Sequence, residues 1–393
     1  MKFSIITPTH NPKYLKELEK TILEQTFSDW EWIILLNNGA EYKAKDKRIK
    51  IFTSTQETNF VGSLKKEACS ISKGEILVEA DHDDLLTPDC LEELAKAYED
   101  KEIGFVYSDN AKLADDFKPY QGNDWTYRMF KYGDRELFAM NSQPTNPGRL
   151  GYIWFAPDHV RSWRKSIYDQ IGGHKEMKVL DDQDLMHRLY MVTKFCHIPK
   201  VLYIYRIVDN KTNTWLVNNA QIQKETVEIY AKNVYNLSER FCQLNSLAKI
   251  DLCGGFNKPE GYVSIDKYNG DIFHDLEKGI PLADNSVGII RAHDALEHIS
   301  NQQMIMKEIH RVLAPGGMLL SQTPSTDGRG AWQDPTHISF WNQNSFYYWT
   351  RPEYAKYIQN DKLFRECRLI TVFPNEYCKN NNIPYVIAHL EKL

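Results

Sequence analysis

Glu79-Ala-Asp-His-Asp-Asp-Leu-Leu-Thr-Pro88 lies where an apolar run, Gly74-Glu-Ile-Leu-Val-Glu-Ala80, meets three carboxylates. Residues 74–80 read as a buried strand. Asp81, Asp83 and Asp84 end it abruptly. Thr87 has the character of an N-cap and Pro88 that of a first helical residue. The helix they open carries Leu91, Leu94, Ala95 and Tyr98 on one face. Acids placed between a strand and the next helix occupy the position at which open α/β sheets bind ligands. A divalent cation with oxygen ligands relieves their mutual repulsion. Taken alone, the ten residues also read as a solvated acidic turn with a capping Asp.

Working outward, Lys2-Phe-Ser-Ile-Ile-Thr-Pro-Thr-His-Asn11 is a strand entering a turn, followed by a helix with Leu15, Leu18 and Ile22 on one face. Glu31-Trp-Ile-Ile-Leu-Leu36 is a second strand ending in Asn37-Asn38-Gly39, and Lys50-Ile-Phe-Thr53 a third. Strands alternating with helices from residue 1 predict a doubly wound α/β sheet. Further on, Ile171-Gly-Gly-His174 precedes Leu180-Asp-Asp-Gln-Asp-Leu-Met-His-Arg188, and His197-Ile-Pro-Lys-Val-Leu-Tyr-Ile-Tyr-Arg206 is another strand. Between residues 115 and 165 aromatic residues crowd in, among them Trp125, Trp154 and Phe155. Flat faces suit sugar rings in an acceptor site, but aromatics mainly fill cores, and most of these read as core with a loop packed over the sheet. His159, Arg161, Trp163 and Arg164 fit either an anion site or a solvated helix face.

In this order the segments resemble the family 2 glycosyltransferases of the GT-A fold, over residues 1–235. The resemblance implies inverting transfer of a sugar from a nucleotide-diphospho-sugar donor to a glycan or lipid-linked saccharide acceptor, as in polysaccharide biosynthesis. Asp81-His82-Asp83 stands as the family's DxD motif. Asp83, with Asp81, would hold Mn2+ or Mg2+ as a counter-charge for the departing diphosphate. Asp81 would otherwise face the donor ribose. Pro8, Thr9, His10, Asn37 and Asn38 fall at donor-binding positions. His10 replaces an aromatic that packs on the nucleobase, and the two asparagines replace the usual acids. Lys65, after Asn59 on the way to Ala80, matches an arginine near the diphosphate. Asp182 matches the general base that takes the acceptor hydroxyl proton. A helix N-terminal acid favoured by the macrodipole is the structural alternative for Asp182.

A second unit begins near residue 248. Ala248-Lys-Ile-Asp-Leu-Cys-Gly-Gly255 is a strand running into glycines, and Gly261-Tyr-Val-Ser-Ile-Asp266 a strand ending in an acid. Asp271-Ile-Phe-His-Asp-Leu-Glu277, Arg291-Ala-His-Asp-Ala-Leu-Glu-His298 and Ala314-Pro-Gly-Gly317 follow. The order resembles a class I S-adenosylmethionine-dependent methyltransferase, a Rossmann-like fold. It implies that Asp251, Gly254 and Gly255 line the methionine end of the cofactor. Asp266 would bond the ribose, and Asp275 and Leu276 would meet the adenine. Cys253 and Asn257 depart from the family's glycines. Asp334 and His337, in a loop near Trp332, Phe340 and Trp341, are a candidate methyl-transfer site: a pair able to deprotonate a sugar hydroxyl or hold a metal, or else a turn with a surface histidine.

The expected organisation is a GT-A domain over 1–235, a linker over 236–247 and a methyltransferase-like domain over 248–393, a bifunctional enzyme that glycosylates and O-methylates a sugar. Two rivals stand beside it. In one, the second domain is a non-catalytic binding or assembly module. In the other, the acids serve a metal-dependent hydrolase. A length of 393 residues allows two or three domains. A net charge of −5 argues against nucleic acid as partner. Seven cysteines without a Cys-x-x-Cys pair suggest reduced thiols and a cytoplasmic setting. No apolar run approaches the ~20 residues of a membrane span. No signal peptide is evident. Peripheral contact with the inner face of a membrane stays open, as does the oligomeric state.

Overall fold

The computed structural model describes residues 1–56, 60–114, 117–119, 125–207 and 217–393; Asn59 lies outside them. They form two compact units, Met1–Thr145 with Arg149–Asn233, and Asn146–Gly148 with Val234–Leu393.

The first unit is built on one mixed sheet. In spatial order it holds Ile49–Thr53, Trp30–Leu36, Phe3–Thr9, Ile76–Glu79, Arg161–Arg164, Ile103–Leu113, Lys194–Arg206 and Leu85–Leu86. A hairpin of Tyr127–Tyr132 and Arg135–Met140 joins Ile103–Leu113. The first four strands are parallel, with Phe3 opposite both Trp30 and Ile76. Both faces are covered, so the strands are apolar on both sides. Phe3, Ile5, Trp32, Ile34, Ile76 and Val78 pack one way, against Leu15, Leu18, Ile22, Leu91 and Leu94. Ile6, Ile33, Leu35 and Leu77 pack the other way, against Leu64, Ala68, Leu185 and Leu189. Each such side chain contributes about 1.5–3 kcal/mol. From the central strand Phe3–Thr9 the chain moves outward twice, then returns to Ile76–Glu79 on the other side. That reversal opens a crevice at the carboxyl ends of these two strands, where His10 and Asp81 follow.

Two local readings differ from expectation. The helix after the acids is Cys90–Ala97, two residues later than Pro88 implied. The Thr87 hydroxyl donates to Asp89 Oδ1 at 2.8 Å and does not cap the helix, because Leu85–Leu86 first pairs antiparallel with Tyr203 and Ile204. Arg161–Arg164 is a buried strand between Ile76–Glu79 and Ile103–Leu113, antiparallel to both, not a helix face.

The second unit holds a sheet ordered Ile272–Phe273, Val263–Asp266, Ala248–Leu252, Val287–His293, Leu313–Pro324, Tyr385–Lys392, Phe364–Val372. Numbered within the unit this is 3-2-1-4-5-7-6. Tyr385–Lys392 alone runs against its two neighbours, inserted into an otherwise Rossmann-like order. Its core gathers Ile250, Leu252, Ile290, Ile305, Ile309, Leu319, Trp341 and Phe346. The linker expected over 236–247 is largely helical: a single helix spans Asn219–Asn245. Leu237, Phe241 and Cys242 on it are buried, and that apolar face carries the helix past residue 236. Among the described residues no helix is long and apolar enough to cross a membrane.

Candidate functional site

The crevice of the first unit is organised around buried Glu79, the last residue of its strand. Lys65 from the helix Val61–Ile71 forms an ion pair with Glu79 Oε1 and lies 4.0 Å from Asp181. Arg161 Nη1 lies 3.7 Å from Glu79 Oε2 and 2.6 Å from Asp182 Oδ2. His159 Nε2 lies 3.6 Å from Glu79 Oε2 and 3.9 Å from Asp81 Oδ2. One continuous network therefore runs from Asp182 through Arg161, Glu79 and His159 to Asp81. Burial opposes the charge on Glu79, but Lys65, His159 and Arg161 outweigh it and hold the carboxyl well below its usual range. Glu79 and Asp158 lift His159 to about 9 against burial and Arg161.

Asp182 sits in the first turn of the helix Asp181–Val192, which Leu180 enters in the left-handed region at φ 63°. Burial pushes the Asp182 carboxyl up, and the Arg161 guanidinium overcomes it, so Asp182 stays ionised below the ordinary carboxylate range. Arg161 is itself fixed, donating from Nε to the Pro157 carbonyl and from Nη2 to that of Phe155. Asp182 is the more open acid of its pair, its side chain 20% exposed against 9% for Asp181. Burial lifts Asp181 to about 7 despite Lys65. Asp184 pairs with Lys175 and Arg188, which accounts for the third acid of the run.

The DxD acids occupy the opposite side. Asp83 and Asp81 have no lysine or arginine partner among the described ion pairs, and Asp81 is 39% exposed. Burial and Asp81 raise Asp83. Buried Asp84 accepts from the Arg206 amide at 2.7 Å, while Arg206 Nε donates to the Asp83 carbonyl at 2.7 Å. The Tyr205-Arg206 end of its strand thus clamps the acidic turn. Two acids on a clamped turn, without a lysine or arginine partner, fit a hard divalent cation. Glu79, Asp81 and His159 also bring donor atoms within 4.8 Å, but Glu79 is already neutralised there by three cations.

The donor-side residues divide. His10 meets His82 edge to face at 5.5 Å, and burial with His82 holds it below its ordinary value against Asp83. Pro8 is half-buried and Thr9 buried; the Thr9 hydroxyl is bonded to the Asn11 backbone. Asn37 keeps a buried Oδ1 with no hydrogen-bond partner, a group able to receive a donor N–H. Asn38 is exposed with φ 52°, a left-handed position that asparagine tolerates, so the turn explains it. Lys65 does not meet the expectation of a diphosphate ligand, because Glu79 and Asp181 consume its charge inside the protein. Arg161 and His159 were legible only as an undecided cluster. Gly62 gave no signal at all: a Cβ there would lie 2.3 Å from the Lys175 carbonyl and 2.8 Å from Asp181 Cβ.

In the second unit, Gly254 and Gly255 follow the strand Ala248–Leu252. Gly255 has φ 50°, and its missing Cβ leaves space facing Asp266 Oδ2, 3.9 Å away. Asp266 Oδ1 accepts from the amides of Tyr268 and Asn269, leaving Oδ2 directed at that space. This cradle fits a ribose-bearing cofactor. Asp251 does not line it: fully buried, its carboxylate receives Arg291 at 2.8 Å and lies under Gly254. The Leu276 side chain belongs to the core, so only its backbone remains for an adenine, while Asp275 caps the following turn and pairs with Lys267. Asp334 Oδ2 and His337 Nε2 stand 4.0 Å apart, beyond a hydrogen bond.

Two α/β units, one with an acidic turn joined through an ion network to Asp182 and one with a glycine cradle, define the class. Residues 4–172 match the family Glycosyl transferase family 2, and residues 255–321 match the family Methyltransferase domain. The chain thus joins a segment that matches the family 2 glycosyltransferases to one that matches a methyltransferase domain. It is similar to an uncharacterized glycosyltransferase of Methanocaldococcus jannaschii, 32% identical over 30% of this chain and 46% of that protein. It is also similar to the glycosyltransferase GlyG of Streptococcus pneumoniae, 23% identical over 52% of this chain and 70% of that one. The chain thus spans less than half the length of the archaeal relative. A crystal structure of S. aureus TarS 1–349 with UDP-GlcNAc superposes with TM-score 0.45 at 14% identity, covering 62% of this chain and 72% of that one.

Proposed function

We propose that the first unit transfers a sugar, with inversion, from a nucleotide-diphospho-sugar to a glycan or lipid-linked saccharide. The observation that carries this reading is the network joining Asp182 to Asp81: the proposed base and the first acid of the donor turn share one ion cluster. Asp182 takes the acceptor hydroxyl proton. Arg161 keeps that carboxylate ionised and aimed. Asp83, with Asp81, would hold Mn2+ or Mg2+, which neutralises the leaving diphosphate. His10 and Asn37 hold the nucleobase, His10 by a ring face and Asn37 through its unpaired Oδ1. Trp125 stacks on Phe155 at 5.2 Å, and the Phe155 carbonyl also receives Arg161, so a flat aromatic surface lies on the base's side for the acceptor. The test is binding and turnover across UDP-, GDP- and dTDP-sugars with saccharide acceptors. Failure to bind any donor nucleotide would remove this reading and return the acids to a hydrolase.

For the second unit we propose S-adenosylmethionine binding at Gly254, Gly255 and Asp266, with methyl transfer to a sugar hydroxyl. One observation favours the non-catalytic module as a second reading. Cys253 occupies a left-handed position, φ 53°, at the turn where a side chain crowds a cofactor. Calorimetry of the full chain with S-adenosylmethionine separates the two.

A further inference from the structure

Beyond the carboxyl end of the strand Val287–His293, a cluster in the second unit takes in His337 of the candidate methyl-transfer pair but not Asp334. One donor atom each of Glu297, His298 and His337 lie within 4.8 Å of one another. Glu297 is 2% exposed. Its Oε2 accepts from the Thr323 hydroxyl at 2.6 Å, and its Oε1 is buried with no hydrogen-bond partner. An unpaired buried carboxylate oxygen is costly unless something positive meets it.

The two imidazoles are preset in the same way. His298 Nδ1 lies 3.1 Å from the Thr336 carbonyl, and His337 Nδ1 lies 3.1 Å from the Ala331 carbonyl. A carbonyl only accepts, so each Nδ1 carries the proton and each Nε2 keeps its lone pair. That is how metal-ligating histidines are oriented by their surroundings. The rings stand edge to face with centroids 5.0 Å apart. The loop bearing His337 is pinned to Glu297 itself: the amides of Ile338 and Ser339 donate to the Glu297 carbonyl at 2.9 and 3.0 Å. Cys253 of the glycine turn packs against the same core as Leu296, the residue before Glu297.

We infer that Glu297, His298 and His337 form a binding site for a divalent transition-metal ion beside the glycine turn of the second unit. Two imidazoles with one carboxylate favour Mn2+, Fe2+, Co2+ or Zn2+ over Ca2+. Three protein ligands leave positions open for a substrate oxygen, so a bound ion would polarise a hydroxyl there. That last role rests on the methyl-transfer reading; the binding of the ion does not.

The test uses the full chain, stripped of metal, with Asp81→Ala and Asp83→Ala as background to silence the first unit. Titration with Co2+ should reveal one site whose visible absorption indicates nitrogen ligation. With Mn2+, pulsed electron paramagnetic resonance should detect coupling to imidazole nitrogen. Adding His298→Ala and His337→Ala should abolish both signals. Glu297→Gln keeps the Thr323 bond and, as the loss of a ligand rather than of an outer partner, should weaken Co2+ affinity by more than about 10-fold. It also stands in for the histidine pair if that variant misfolds. No Co2+ site in the background protein, or nitrogen coupling that survives loss of both histidines, overturns the inference. A site that persists when S-adenosylmethionine fails to bind keeps the metal site and removes only the methyl-transfer reading.

Discussion

Asp182 and Arg161 are 2.6 Å apart, and that contact holds the carboxyl of the proposed base below its usual range. A base must be ionised to accept a proton, and Arg161 depresses the Asp182 carboxyl. The acid limb of the transfer rate should therefore lie below the ordinary carboxylate range. Arg161→Gln should move that limb to higher pH, since the depressing charge is gone; an unmoved limb would separate Arg161 from the base. Asp182→Asn should lower transfer by roughly 10²–10⁴-fold with donor binding nearly unchanged. Loss of turnover in Asp181→Asn instead would move the base by one residue. At Cys253 the backbone makes the prediction. A non-glycine residue in the left-handed region costs roughly 1–2 kcal/mol, and glycine returns about 0.5–1 of it as chain entropy. Cys253→Gly should stabilise the second unit by at most about 1.5 kcal/mol in denaturant unfolding, and tighten S-adenosylmethionine binding.

At the scale of elements, the helices Val61–Ile71 and Asp181–Val192 meet at Gly62. A methyl group there would fall 2.8 Å from Asp181 Cβ and closer still to the Lys175 carbonyl. Gly62→Ala should force the base-bearing helix away from Glu79, with a stability loss of about 1–3 kcal/mol. It should also reduce turnover more than donor affinity, which kinetics on the folded variant would measure. The acid turn is held from the other side by Arg206, through both its amide and its guanidinium. The existence of these elements was legible in the sequence, because apolar periods of two and 3.6 mark buried strands and helices. Their ends were less so. Thr87 and Pro88 have every local feature of a helix start, yet Leu85–Leu86 pairs with a strand more than a hundred residues away and delays the helix to Cys90.

At the scale of the whole molecule, the two units should respond to different ligands. A donor nucleotide with Mg2+, which prefers all-oxygen ligands, should raise only the unfolding transition of the first unit, and S-adenosylmethionine only that of the second. Saturation near 100 times Kd contributes about 2.7 kcal/mol. Differential scanning calorimetry of Asp83→Ala should lose the first shift and keep the second; loss of both would contradict separate sites. The sequence by itself determined the two α/β units, the acid turn and the glycine turn, because strand runs, turn residues and their order are local properties of the chain. Tertiary structure alone decided which charges are available for chemistry. Lys65 and Asp251 carry the charge of ligand-binding residues, but each is neutralised by a partner brought from elsewhere in the fold. Arg161 was undecided in sequence, and strand pairing on both sides buries it against Asp182. Glu297 and His337 are forty residues apart and meet only because the loop after Pro324 folds back across the sheet's carboxyl edge. Charge neutralisation and burial depend on what lies within a few ångströms in space, and no local pattern in a chain encodes that neighbourhood.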